Sequence, residues 1–172
     1  VFFNFGMLRA ADLIVEELGV APNFASIQAA VNAASNGDRI FIRNQSGQFP
    51  YQEDVTINKS IQLLPIASDS MFVVFGEYTI LPAAGRQVTI VGMDNLNGSI
   101  SLTANAPGFS PMQFNLFNSA IRDSVYITGT GVISRLSGND IDDKVFVRVS
   151  TLTGNEFADD VTIQSEASLT SE

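Results

Sequence analysis

The pattern of apolar and polar positions changes period inside one stretch, "SIQAAVNAASNGDRIFI", residues 26 to 42. Ile27, Ala30, Val31 and Ala34 recur at helical spacing, and Ile40 and Ile42 then alternate at strand spacing. Asn23 or Ser26 offers a side-chain oxygen to the orphan N–H groups of a helix start, and Gly37 a left-handed turn at its end. The spacing therefore predicts a helix from about Asn23 to Ser35. Upstream, "LIVEEL" reads as a first strand, stopped by Ala21-Pro22-Asn23. From Arg39 onward the chain runs through short alternating or β-branched segments: "RIFIR", "DVTI", "IQLLP", "MFVVF", "QVTIVG", "SISLT", "QFNLF", "SVYIT", "GVIS", "KVFVRV" and "DVTIQ". Asn, Gly, Ser, Asp and Pro join them, and no second helix is predicted.

Some segments echo one another. "DVTI" occurs at 54–57 and 160–163, "QVTI" at 87–90 and "DSVYI" at 123–127. Their separations, in the mid thirties, predict a loose period with several short strands per turn. An antiparallel sandwich calls for tight Asn-Gly or Asp-Gly hairpins, yet apart from the Asn36-Gly37 that follows the helix only Asn97-Gly98 offers one. A solenoid calls for short strands, polar corners and an atypical end unit that shields its open core. The amphipathic helix before the first coil is such a lid. The predicted fold class is an all-β solenoid with one N-terminal amphipathic capping helix.

The segment "NFASIQAAVNAASNGDRIFIRNQSGQFPYQEDVTINKSIQLLP" resembles the start of right-handed parallel β-helix proteins of the pectin-lyase-like superfamily, especially pectinesterase-like members. The shared residues are Phe24, Ser26, Ile27, Gln28, Ala30, Val31, Ala33 and Ala34, then Gly37, Asp38, Ile40 and Ile42. Tyr51, Glu53, Val55, Ile57, Lys59, Ser60 and Ile61 complete them. The resemblance covers about a quarter of the chain. It implies a right-handed parallel β-helix and is specific for fold, not activity. The stretch from Gly47 to Glu53 is longer than the G-x-Y-x-E of the family, which implies an extended loop.

A chain of 172 residues, 45% hydrophobic and 16% charged, is a single folded domain with its own core. Nine basic against eighteen acidic residues give a net charge of −9, which disfavours nucleic acid and anionic membranes and fits a soluble extracellular protein. With no Cys and no His, disulfides, thiolate metal sites, a Cys nucleophile and a Ser-His-Asp triad are excluded within this chain. The opening "VFFNFGMLRA" reads as the end of a secretory signal peptide cleaved near Ala10, the alternative being a first buried strand. Residues 11–172 then form one β-helix domain, expected to be the N-terminal part of a longer secreted or cell-surface protein.

The motifs that the resemblance would require of an enzyme are missing. Q-D-T, D-F-I-F-G and L-G-R-P-W mark a pectinesterase, N-T-D, G-D-D, G-H-G and R-I-K a polygalacturonase, and R-x-P-x-x-R a pectate lyase; none is present. No catalytic or cofactor-binding residue is assigned. For a metal, Asp140, Asp142 and Asp143 are the candidates, with Ca2+ as the cation, and Glu156, Asp159 and Asp160 a second acidic group; solvated turn carboxylates are the competing account of both. For a ligand, Tyr51, Tyr78 and Tyr126 are the candidates, because a phenol hydroxyl favours a wet edge. Phe72, Phe75, Phe114, Phe117 and Phe146 read as stacked core residues or as a sugar platform. Asn58, Asn95 and Asn118 are expected to bond turn backbone. The expected function is a non-catalytic, adhesin-like or polysaccharide-binding module. A diverged polysaccharide-active enzyme with its site beyond Glu172, or a structural spacer, is the alternative. The expected partner is an extracellular or cell-surface polysaccharide.

Overall fold

Alternation with period two puts every second side chain of a strand on one face. A chain that coils so that all those faces point at one axis buries them together. The computed structural model describes residues 10–66, 71–105, 111–143, 145–149, 156–157, 162–163 and 167–171, and in it the chain forms a parallel β-solenoid of about five turns. Each turn, or rung, adds one strand to each of three sheets. The first sheet holds Asp12–Val15, Arg39–Ile42, Ile61–Pro65, Gln87–Val91, Met112–Phe117, Val132–Ser137 and Glu156–Phe157. The second holds Tyr51–Gln52, Phe72–Phe75, Met93–Asn95, Ala120–Ile121, Asp140–Ile141 and Thr162–Ile163. The third holds Val55–Ile57, Tyr78–Ile80, Ile100–Asn105, Val125–Thr130, Val145–Val149 and Ala167–Ser171. Every strand pair among the described residues is parallel.

Register turns the alternation into columns. Ile40, Leu63, Ile90, Leu116 and Leu136 stack inside the first sheet, and Val55, Tyr78, Ile100, Val125 and Val145 inside the third. All ten are buried. Each large aliphatic side chain so buried contributes about 1.5–3 kcal/mol. The column Leu13, Ile40, Leu63, Ile90, Leu116, Leu136 sets the length of a turn at 20 to 27 residues, not the mid thirties expected. The V-x-I echoes misled because they fall in different sheets: 55–57 and 125–127 in the third, 87–90 in the first, 162–163 in the second.

The corner between first and second sheets is one or two residues wide in three successive rungs. Gly92, Asn118 and Gly138 occupy it in successive rungs, at φ +63, +49 and +65. Glycine and asparagine adopt that left-handed conformation at least cost. Buried polar side chains fill in behind it. Ser119 Oγ accepts from Met93 N, and Asn139 Oδ1 accepts from Ser119 N while its Nδ2 donates to Leu116 O. Asn95 Nδ2 donates to the carbonyls of Gly76 and Gly98, the turn-backbone role expected of it.

The helix is Ile27–Ala33, shorter than predicted. Ser26 is its cap: the hydroxyl oxygen accepts from Ala29 N at 3.1 Å. Asn23 is occupied elsewhere, donating to Glu16 at 2.6 Å, while Phe24 pairs in parallel with Val15. At the other end the helix stops at Ala34 in an extended conformation, three residues before Gly37 (φ +96). Its buried face, Ile27, Ala30 and Val31, packs on Val55–Ile57, Asp12–Val15 and Arg39–Ile42, so it lies across the mouth of the coil as a lid.

Four polar residues clasp the lid. Gln28 Oε1 accepts from Thr56 N at 2.6 Å and its Nε2 donates to Thr56 O at 3.4 Å, so one side-chain amide meets the edge strand as a further strand would. Glu53 accepts from Ile27 N and Gln28 N at 2.7 and 2.9 Å. Lys59 Nζ donates to the carbonyls of Val31, Asn32 and Ala34 at 3.0, 2.6 and 2.5 Å. Asp38 accepts from Ala11 N and Ser35 N, both at 2.7 Å. A carboxylate at the helix start and an ammonium at its end both match the helix dipole.

Glu53→Ala removes two charge-assisted bonds and is expected to lower stability by about 1.5–3 kcal/mol. Glu53→Gln, which keeps one acceptor oxygen, should lose less; urea unfolding followed by circular dichroism measures both. Gly98 tests the second corner. It sits at φ +129, and a Cβ there would lie 2.2 Å from Gly76 O. Gly37→Ala meets nothing within 4 Å, so it should cost only backbone strain, about 1–3 kcal/mol. Gly98→Ala should cost clearly more in the same assay.

Candidate functional site

The corner between second and third sheets, near the lid, opens into a cleft of about 450 Å³ lined by Gln52, Glu53, Asp54, Phe75, Gly76, Glu77, Asn97 and Gly98. Its depth follows from backbone packing. Gly76 and Gly98 bring successive rungs so close that a Cβ on either would meet a carbonyl oxygen at 2.2 Å. Its walls follow from a ladder of carboxylates, each holding a backbone N–H one rung away. Asp54 Oδ1 accepts from Glu77 N at 2.8 Å, and Glu77 Oε2 accepts from Ser99 N at 3.0 Å. Glu53 holds the lid, as above. Asp54 and Glu77 each keep a second oxygen for an incoming donor. Phe75 takes the outward position of its strand, opposite Val74, and leaves 43% of its surface exposed in this cleft.

The third sheet begins at that corner. Its outer column runs through Thr56, Thr79, Ser101, Tyr126 and Phe146. Tyr126 is exposed, and its ring lies 6.3 Å from that of Phe146 at 50°. Two residues on, Thr128 donates to Thr103 at 3.1 Å. The face is thus a row of hydroxyls that leads to an aromatic pair.

The expected acidic cluster divides. Asp140 and Asp142 gather, with Asp94, around Arg122, whose nitrogens lie 3.7, 3.4 and 3.9 Å from their oxygens. Ala120 between Asp94 and Asp140 is small, so the guanidinium can lie across the gap. Asp143 instead accepts from Ser124 Oγ at 2.6 Å. Among the described residues no three carboxylates converge as a metal site. Asp159 and Asp160 lie outside the described residues, as does the opening "VFFNFGMLR" read as leader or strand. Phe72 and Phe114 are core, while Phe117 and Phe146 are half-buried on outer faces.

Two of the three tyrosines depart from the wet-edge expectation. Tyr51 is 2% exposed, and its hydroxyl donates to Arg43 O at 2.7 Å. Tyr78 is fully buried in the third sheet's inner column, with no hydrogen-bond partner for its hydroxyl. Period-two alternation overrode residue type: both occupy inward positions. Burial, reinforced by the carboxylates of Glu53, Glu17 and Glu16 and opposed by Arg43, pushes Tyr51 up to about 12. Burial, with Glu53 adding to it, holds Tyr78 well above the ordinary phenol value. The folded chain therefore keeps protons that the unfolded chain releases near pH 10, the ordinary phenol value. The contribution of Tyr51 is complete below that pH and is lost as the pH rises to about 12. Phenolate absorbance from these two side chains should appear together with unfolding in an alkaline titration, and Tyr51→Phe should make the alkaline loss of stability shallower.

Sequence reasoning did not find the cleft. Glu53 stood in the shared pattern and Phe75 among the phenylalanines read as core or sugar platform, but Asp54, Glu77 and Asn97 are ordinary turn and strand residues until the rungs are in register. Aligning "IVGMDN", "LFNSAI" and "LSGNDI" at Gly92, Asn118 and Gly138 is the signal that sets that register. Compared with family models, with curated proteins and with solved structures, the chain has no match.

Proposed function

We propose that this chain is a non-catalytic, secreted or cell-surface β-helix module that binds polysaccharide, descended from the pectin-lyase-like stock its N-terminal pattern resembles. The observation that carries this is Phe75, an exposed ring in a cleft otherwise lined by carboxylates and amides. A sugar has an apolar C–H face that an aromatic ring covers and a rim of hydroxyls that carboxylates and amides bond. Sites for small ligands pair such apolar surface with a few placed polar groups. The hydroxyl row of the third sheet and the Tyr126–Phe146 pair extend the same chemistry along the coil, as a polymer needs.

The carboxylates favour binding over hydrolysis. A glycosidase needs one carboxyl to deliver a proton and a second to act as base or nucleophile. Glu53, Asp54 and Glu77 each accept from backbone N–H groups of the fold, which ties them to the structure of the corner and leaves no free pair set aside as acid and base. Binding on a glycan array without release of reducing ends, methanol or unsaturated sugars is the expected result. Turnover would instead establish an enzyme, and silence in both assays a spacer. Phe75→Ala should weaken binding roughly tenfold, equivalent to about 1.4 kcal/mol, by titration calorimetry. Tyr126→Ala should weaken long chains more than short ones.

A further inference from the structure

Resting on the reading of the corner cleft as a glycan site, we propose that its polymer carries no acidic groups. The ligand is a neutral or amine-bearing glycan, and polyuronates and sulfated chains are rejected. Two independent observations meet in this. The first is that the negative charges at the cleft are tied to the backbone of the next rung. The Asp54 and Glu77 carboxylates accept from Glu77 N and Ser99 N at 2.8 and 3.0 Å, which holds them at the cleft where an anionic sugar would meet their charge. A carboxylate only accepts hydrogen bonds, and the partners that suit it are hydroxyl and ammonium donors.

The second is the placement of five cationic side chains among the described residues. Arg39 is bidentate on Asp12, with both bonds at 2.8 Å, and Arg43 lies 3.8 Å from Glu16. Lys59 is taken up by three helix carbonyls, Arg86 bonds the carbonyl of Leu81, and Arg122 sits among three aspartates. None of these lines the cleft. Recognition of a polyanion rests on Arg and Lys presented to it, and these side chains are turned to partners within the chain. The net charge of −9 adds repulsion at longer range.

The test is a binding panel of β-glucan, galactan, chitosan, polygalacturonate and alginate, run once with chelator and once with calcium, followed by a matched pair. The strongest neutral binder is compared with its own derivative in which primary alcohols are oxidised to carboxylates. Binding confined to the first three polymers is expected, with a loss of more than roughly tenfold on oxidation, reduced at high salt where charge is screened. The double variant Asp54→Asn, Glu77→Gln keeps the acceptor oxygens that hold the corner and should narrow the gap between the pair. Preferential binding of polygalacturonate or alginate, or an oxidised derivative bound as well as its parent, overturns the charge selection and leaves the glycan reading standing. Calcium-dependent capture of either uronate overturns it too. A panel with no binder at all sinks the glycan reading and the selection with it.

Discussion

A parallel coil has an end, and at that end a strand offers N–H and C=O groups with no neighbour. Such an edge templates pairing with other chains unless it is covered. Here the exposed groups of Thr56 are met by the side-chain amide of Gln28, which carries one donor and one acceptor in the spacing of a peptide group. Everything else about the lid follows from placing that amide. Ile27, Ala30 and Val31 supply the apolar weight, and alanine at position 30 keeps the helix close to the coil. Glu53 and Lys59 then fix the helix along its axis by charge at both ends. A helix this short is not stable on its own, so the lid exists because the first rung holds it.

The second constraint is the corner. Passing from one sheet to the next within one or two residues uses a positive φ, which Gly92, Asn118 and Gly138 supply. Once one residue makes the turn, the next must satisfy the backbone exposed by it without water. Ser119 and Asn139 do this one rung after another, each serving the rung before. Rungs are therefore joined by side-chain bonds at their corners as well as by the sheets.

The same logic separates what could be read from the chain from what could not. The fold was legible because alternation, the single helix and the Gln28, Asp38, Glu53, Lys59 pattern are local or nearly so. The residues of that pattern turn out to be the clasp itself. Turn length was not legible, since loops of different size follow each strand and V-x-I recurs in all three sheets. Tyr51 and Tyr78 show which rule is stronger: position in the alternation outranks the preference of a hydroxyl for water. The cleft was invisible because Glu53, Gly76 and Gly98 are brought together only by register between rungs.

That register also explains why the candidate site and the folding machinery share residues. Asp54 and Glu77 each spend one oxygen on the next rung and present the other outward, so the bond that shapes the corner orients the group a ligand would meet. A side chain held in this way loses little further freedom on binding, and preorganisation of that kind lowers the entropic cost of association. It also means that truncating either acid disturbs the corner and the cleft together, whereas amide substitution keeps the acceptor and removes only the charge. Phe75 is different in kind: its backbone carbonyl accepts from Glu53 N at 3.1 Å, while its ring faces outward from its strand and stays exposed in the cleft. A large apolar surface left open beside a rigid polar frame has a physical use in recognition, and the frame's charge decides which polymer can reach it.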